Sequence, residues 1–238
     1  MRKVISFLAL YGILISKSLI AQSIQVNGIY PHLAQFNNEG ECGTGAVVAW
    51  AGKLWSISYG PHLPYGSSDR LYEIHPDLSR TVRSESVGGT HANRMIHKES
   101  NQLFIGYHVI DQKGTVRTID PNKMPGRLTG MARSVNDPVN KIVYVTMEEG
   151  FYEVDVHTLD IKMLFKDGNQ MRKEGANTHE SPLLPGVHGK GFYSGQGVYV
   201  YSNNGEAGAK ARVDPTIEAG SLSEWDGKTG SWSVAINL

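Results

Sequence analysis

Four polar clusters hold most of the side chains in this sequence that could bind an anion or move a proton. The first is Asn37-Asn38-Glu39-Gly40-Glu41-Cys42-Gly43-Thr44-Gly45 and the second His91-Ala92-Asn93-Arg94-Met95-Ile96-His97. The third is Pro125-Gly126-Arg127-Leu128-Thr129-Gly130-Met131-Ala132-Arg133, and the fourth His188-Gly189-Lys190-Gly191-Phe192-Tyr193-Ser194-Gly195-Gln196. Arg94, Arg127, Arg133 and Lys190 supply positive charge for a carboxylate, which a guanidinium grips through two parallel hydrogen bonds. His91, His97, His188 and Tyr193 are the side chains suited to general acid–base work. Each cluster also contains Gly, which lets backbone approach a ligand closely. A carboxylate-bearing sugar suits the set. Taken singly, each Arg has a plainer use as the partner of an acid in a neighbouring unit, and each His as a donor to backbone.

Other chemistries find little support. The nine His form no HExxH and no pair at tight metal-ligand spacing. Asp69, Glu73 and Asp77 do not have the spacing of an EF-hand loop, so no cofactor is required and a structural calcium has no sequence support. Neither Gly-x-Ser-x-Gly nor a phosphate-cradling loop is present, and Gly195-Gln196-Gly197 reads as a turn. The single Cys42 excludes an internal disulfide framework and reads as a buried thiol.

The elements that must position these groups are short and β-rich. No long stretch keeps apolar residues at helical spacing; runs of β-branched and aromatic residues alternate with Gly, Asn, Asp and Pro. Four copies of a turn followed by a strand align: Gly52-Lys53-Leu54-Trp55-Ser56-Ile57, Asn101-Gln102-Leu103-Phe104-Ile105-Gly106, Asn140-Lys141-Ile142-Val143-Tyr144-Val145 and Gln196-Gly197-Val198-Tyr199-Val200-Tyr201. Their leading apolar residues, Leu54, Leu103, Ile142 and Val198, recur about 40 to 56 residues apart. A second strand follows in each copy, often with an acid beside an apolar residue: Leu71-Tyr72-Glu73-Ile74, Val109-Ile110-Asp111, Phe151-Tyr152-Glu153-Val154-Asp155 and Ser223-Glu224-Trp225-Asp226. A third begins at Thr81, Thr115, Ile161 and Ser231. This period predicts an all-β fold, a β-propeller of four-stranded blades, over an ordinary β-sandwich. With the aligned strands taken as the innermost of each blade, the polar clusters precede them, where propeller loops converge near the axis.

The chain has 238 residues, with 23 Lys+Arg against 23 Asp+Glu, so no global field draws it to nucleic acid or to an anionic membrane. Residues 1–21 read as a signal peptide: Arg2 and Lys3, an apolar run from Val4 to Ile15 too short to span a bilayer, and a cleavage site after Ala21. Its removal takes three cations and no acid, leaving a small negative charge on residues 22–238. A periplasmic or secreted protein without stable membrane insertion is the expectation. Oligomeric state is not legible.

Six motifs together point to a known family. Tyr30-Pro31-His32-Leu33-Ala34, Asn38-Glu39-Gly40-Glu41-Cys42-Gly43-Thr44-Gly45-Ala46, Ala92-Asn93-Arg94-Met95-Ile96-His97, Gly126-Arg127-Leu128-Thr129-Gly130, Met147-Glu148-Glu149-Gly150 and His188-Gly189-Lys190-Gly191 resemble those of the seven-bladed propeller enzymes that remove rhamnose caps from arabinogalactan. These enzymes were first described as α-L-rhamnosidases and later as rhamnose–glucuronate lyases. The resemblance implies an oligosaccharide or polysaccharide substrate carrying L-rhamnose α-1,4-linked to D-glucuronate. It also implies a histidine on the propeller face opposite the customary one; His32 is a candidate, with Gln35 as the alternative occupant of its place.

If the lyase chemistry applies, a base removes the proton at C5 of glucuronate and rhamnose departs from C4. Arg94 and Arg127 would clamp the carboxylate, with Asn93, Arg133 and Lys190 nearby, His188 or His32 as base, and Tyr193 assisting the leaving oxygen. Glu148 and Glu149 are a poor acid–nucleophile pair, because adjacent strand residues face opposite ways. The family is longer than this chain, and four units of this period fall short of seven, so the sequence reads as the N-terminal part of a larger propeller. A non-catalytic glycan-binding propeller and a protein-interaction scaffold are the other expectations.

Overall fold

The computed structural model describes residues 28, 31–33, 43–60, 70–87, 94–147, 150–167, 189, 191–205, 213–217 and 220–237. The chain divides into two compact units, Met1–Pro31 and His32–Leu238, and all sixteen strands belong to the second. Residues 1–21, read above as a signal peptide, and Gln35, Cys42, Asp69, His91, Asn93, Glu148, Glu149, His188 and Lys190 lie outside the described residues. Among the described residues no helix is long and apolar enough to cross a membrane.

The strands form four antiparallel four-stranded sheets, each built from consecutive strands. The first comprises β1 (Gly43–Trp50), β2 (Lys53–Tyr59), β3 (Leu71–Ile74) and β4 (Arg80–Val82). The second comprises β5 (Arg94–His97), β6 (Gln102–Ile105), β7 (His108–Ile110) and β8 (Val116–Thr118). The third comprises β9 (Arg127–Arg133), β10 (Lys141–Met147), β11 (Gly150–Asp155) and β12 (Ile161–Lys166). The fourth comprises β13 (Gly191–Gly195), β14 (Val198–Asn203), β15 (Ser221–Asp226) and β16 (Ser231–Asn237). The described residues thus form four blades of a β-propeller, as the repeat predicts.

Three apolar cores lie between successive blades, and strand alternation explains how one blade serves two of them. Leu103 and Ile105 of β6 face the first blade, packing with Ala46, Trp55, Ile57 and Leu71. Phe104, between them in sequence, faces the third blade with Leu128, Ile142, Tyr144 and Tyr152. In β10 the same alternation sends Ile142 and Tyr144 to the second blade, and Val143 and Val145 to the fourth, where Phe192, Tyr199, Tyr201 and Trp225 wait. Each blade thus has a leading face toward its predecessor and a trailing face toward its successor. Strands buried on both faces read as unbroken apolar runs.

Two expectations are corrected. The aligned turn-strand units are the second strands of the blades, not the innermost. Inner position belongs to the first strands, since β9 lies against both β5 and β13 across blade boundaries. These inner strands fall inside the polar clusters themselves. Alignment of the fourth copy also slips by one residue. Tyr199, not Val198, stands on the leading face with Leu103 and Ile142, because the turn at Gln196 and Gly197 matches Ala51 and Gly52, both pairs at positive φ. A one-residue slip exchanges the faces of a strand, and Val198 turns to the trailing side.

Candidate functional site

Strand direction separates the two ends of the blades. The first strands start at one end, the connection end, where β2, β12 and β14 finish and β3, β13 and β15 begin; at the other end the described links are short, such as that at Ala51 and Gly52. Arg94 and Arg127 are the first residues of the neighbouring inner strands β5 and β9, so both stand at the connection end. Arg94 is exposed, whereas Arg127 is buried.

The approach to Arg127 is held by a residue outside the polar clusters. The Tyr107 hydroxyl, fully buried at the β6–β7 turn, lies 2.9 Å from the Met124 carbonyl and 3.1 Å from that of Gly126, to which it donates. Gly126 takes φ +103°, a conformation that side chains resist. Thr129 closes the turn of chain by donating to the Arg127 carbonyl at 3.3 Å. Sequence reasoning passed over Tyr107 because a tyrosine in a hairpin turn carries no signal of the carbonyls it reaches.

Other cluster residues are placed differently. Tyr193 is 62% exposed on β13, and its ring leans over Gly191 toward the connection end: a Cβ on Gly191 would lie 2.7 Å from the Tyr193 hydroxyl. Arg133, at the far end of β9, is not in this group. It is salt-bridged across the blade boundary to Glu99, in the plainer role open to it from sequence. His97 is buried at that same end, with Nδ1 2.7 Å from Ser100 Oγ and Nε2 2.9 Å from the Pro138 carbonyl of the next blade. It is a structural histidine.

His32 also lies away from the arginine pair. Its Nε2 is 3.0 Å from the Leu78 carbonyl in the β3–β4 turn, at the end with the tight turns. Leu78 also lines a pocket of about 580 Å³ with Trp50, Leu54, Ile74 and Pro76. Arg94 and Arg127 therefore stand at one end of the blades and His32 at the other.

The glycines serve packing more than ligand approach. A Cβ on Gly130 would collide with Phe192, so its bareness is what lets β13 close on β9. Gly189 is pressed in the same way against Tyr201 and Thr129.

Elsewhere the ionisable groups form structural pairs. The Glu73 carboxyl is 2% exposed; burial alone would raise its pKa, but Lys53 and Arg83 hold it below the usual range by hydrogen bonds and charge. Asp77 caps its own turn through Ser79. Neither resembles an open metal site, and no group of three or more metal-ligating side chains is found among the described residues.

No protein-family model and no curated protein matches the chain. Solved structures do. A structural genomics protein of unknown function from Bacteroides thetaiotaomicron is 11% identical with a TM-score of 0.44, over 83% of this chain and 46% of that one. TolB from Acinetobacter baumannii is 11% identical with a TM-score of 0.41, over 82% and 44%. Regucalcin, a calcium-binding protein from Agrobacterium tumefaciens, is 10% identical with a TM-score of 0.37, over 82% and 61%. This chain spans less than half the length of the first two.

Proposed function

We propose that this protein works outside the cytoplasm on glycans bearing glucuronate capped by α-1,4-linked L-rhamnose, and releases the rhamnose. The observation that carries the reading is the placement of Arg94 and Arg127 at the starts of adjacent inner strands, at the connection end. Two guanidiniums there suit the glucuronate carboxylate, and binding it would acidify the adjacent C5 proton by stabilising charge as it develops. A base takes that proton, the C4–O bond breaks, a C4–C5 double bond forms, and the departing rhamnosyl oxygen takes a proton from Tyr193. His188, next to Gly189 in the chain, is the base in this scheme.

The test is incubation with the rhamnosyl-glucuronate disaccharide and with capped arabinogalactan. Free rhamnose with near-ultraviolet absorbance from an unsaturated uronate marks elimination. Rhamnose without it marks hydrolysis, for which paired carboxylates are the usual apparatus. Absence of both product and binding sinks the proposal.

A second reading, binding of the same glycan without turnover, is favoured by the position of His32 at the opposite end from the arginine pair. Saturable binding with no product on prolonged incubation distinguishes it.

A further inference from the structure

We infer that Ile96 selects the sugar that caps the glucuronate, by giving an apolar surface to the 6-methyl group of a deoxy sugar; this rests on the reading that the glycan carries rhamnose on glucuronate. Ile96 would then be the residue that tells rhamnose from a sugar with a hydroxymethyl group at the same carbon.

An isoleucine on an inner strand is expected to be covered by the neighbouring blade, yet Ile96 of β5 is 41% exposed. Strand register shows which way it faces. Arg94 stands opposite Ile105, and Ile96 opposite Leu103. Leu103 and Ile105 point to the first blade, where they pack with Ala46 and Ile57 and, at the margin, Val48. Residues paired across adjacent strands share a face, so Arg94 and Ile96 point to the first blade as well. At this boundary the inner strands β1 and β5 meet less closely than β5 and β9, or β9 and β13. Both strands that border it are among the described residues, with apolar side chains on each.

The order of the two side chains matters. Arg94 begins β5 at the connection end, and Ile96 lies two residues further in, on the same face. Alternate residues of a strand stand about 7 Å apart, a reach that covers substituents on two neighbouring sugar rings. A cation followed by an apolar surface matches an acidic sugar followed by a deoxy sugar. The direction also suits a cap: glucuronate, which continues into the polymer, lies at the mouth, and the terminal sugar lies inward. A methyl group set against Ile96 leaves water for an apolar surface, which is favourable. A hydroxyl in its place gives up hydrogen bonds to water, and isoleucine offers none in return.

The test uses the full chain and two disaccharides, L-rhamnosyl-α-1,4-glucuronate and its L-mannosyl counterpart, which differ only by a hydroxyl at C6 of the cap. Calorimetry gives the dissociation constants, and kcat/KM is read where product forms. The unaltered protein should favour the rhamnosyl compound at least about tenfold. Ile96→Thr, which keeps the branched shape and adds a hydroxyl, should cut that preference to about threefold or less, chiefly by weakening the rhamnosyl compound. Ile96→Val should retain it. Equal handling of both compounds by the unaltered protein overturns the proposal, as does a preference that survives Ile96→Thr; in either case the reading of the glycan stands. Failure to bind or cleave either compound overturns that reading and this proposal with it. If Ile96→Thr fails to fold by circular dichroism, Ile96→Ala decides on the same two compounds: an undiminished preference overturns the proposal.

Discussion

Tyr201 and Gly189 meet so closely that a methyl group on Gly189 would collide with the tyrosine hydroxyl, and would lie 2.6 Å from Thr129 Cγ2. The contact ties the segment before β13 to the inner strand that carries Arg127. Gly189→Ala should cost about 1–3 kcal/mol by overpacking, read as a lower denaturation midpoint in urea. It should also weaken glycan binding, because the displaced wall adjoins the arginine end. An unchanged midpoint would show that the contact relaxes freely.

Arg94 and Arg133 lie in neighbouring clusters of the sequence but should behave as opposites. Arg94→Ala, at an exposed position, should leave stability within about 0.5 kcal/mol and reduce glycan binding or turnover at least tenfold. Arg133→Ala removes an exposed pair with Glu99 and should cost at most about 1 kcal/mol with no effect on the glycan. Equal losses of activity in the two variants would show that the site is not at the connection end.

Acid should loosen the boundary between the first two blades. Burial lowers the His108 pKa to about 4 against the opposing charge of Glu85. The native state prefers the neutral ring, so the unfolded chain binds the extra proton first. The stability that His108 contributes is complete above its ordinary value of 6.5 and is lost as pH falls toward 4, roughly 3 kcal/mol in all. Glu73, held low by Lys53 and Arg83, adds a loss in the same direction at lower pH. His108→Gln should flatten the upper part of this curve in urea denaturation followed from pH 7 to 4; an unaltered slope would refute the assignment.

Phe151 touches Phe192, Tyr199, Trp225 and Trp232, with ring centroids 5.0 to 5.7 Å apart. Phe151→Ala should cost about 3–5 kcal/mol, and Phe151→Leu much less. Thermal unfolding with tryptophan fluorescence reads both, since Trp225 and Trp232 report on this junction directly.

The outer three strands of each blade were legible because their apolar runs and acid-bearing neighbours repeat. The inner strands were not. Arg127-Leu128-Thr129-Gly130-Met131-Ala132-Arg133 looks like a polar loop, yet it is β9, and its glycine exists to admit Phe192. Near the axis, strands crowd one another and small or polar residues replace the apolar alternation that marks a strand. The one-residue slip at Val198 has a related origin: Val-Tyr-Val-Tyr is apolar on both faces, so pattern alone cannot say which face leads. Arg94 and Arg127 were found by residue type. The separation of His32 from them depends on strand direction, which only the fold supplies.

The two-sided packing of β6 and β10 also sets how the molecule comes apart. Each blade holds only its neighbours, so stability behaves as a chain of nearest-neighbour couplings. Of the three junctions among the described residues, the second and third blades each share in two. Backbone amides of Leu103 to Ile105 and of Ile142 to Val145 therefore exchange with solvent only when the whole assembly opens. Strand β16, bonded to β15 and largely exposed, opens by fraying alone. Local opening starts at outer strands such as β16, and the two middle blades of the four described are the last to let go.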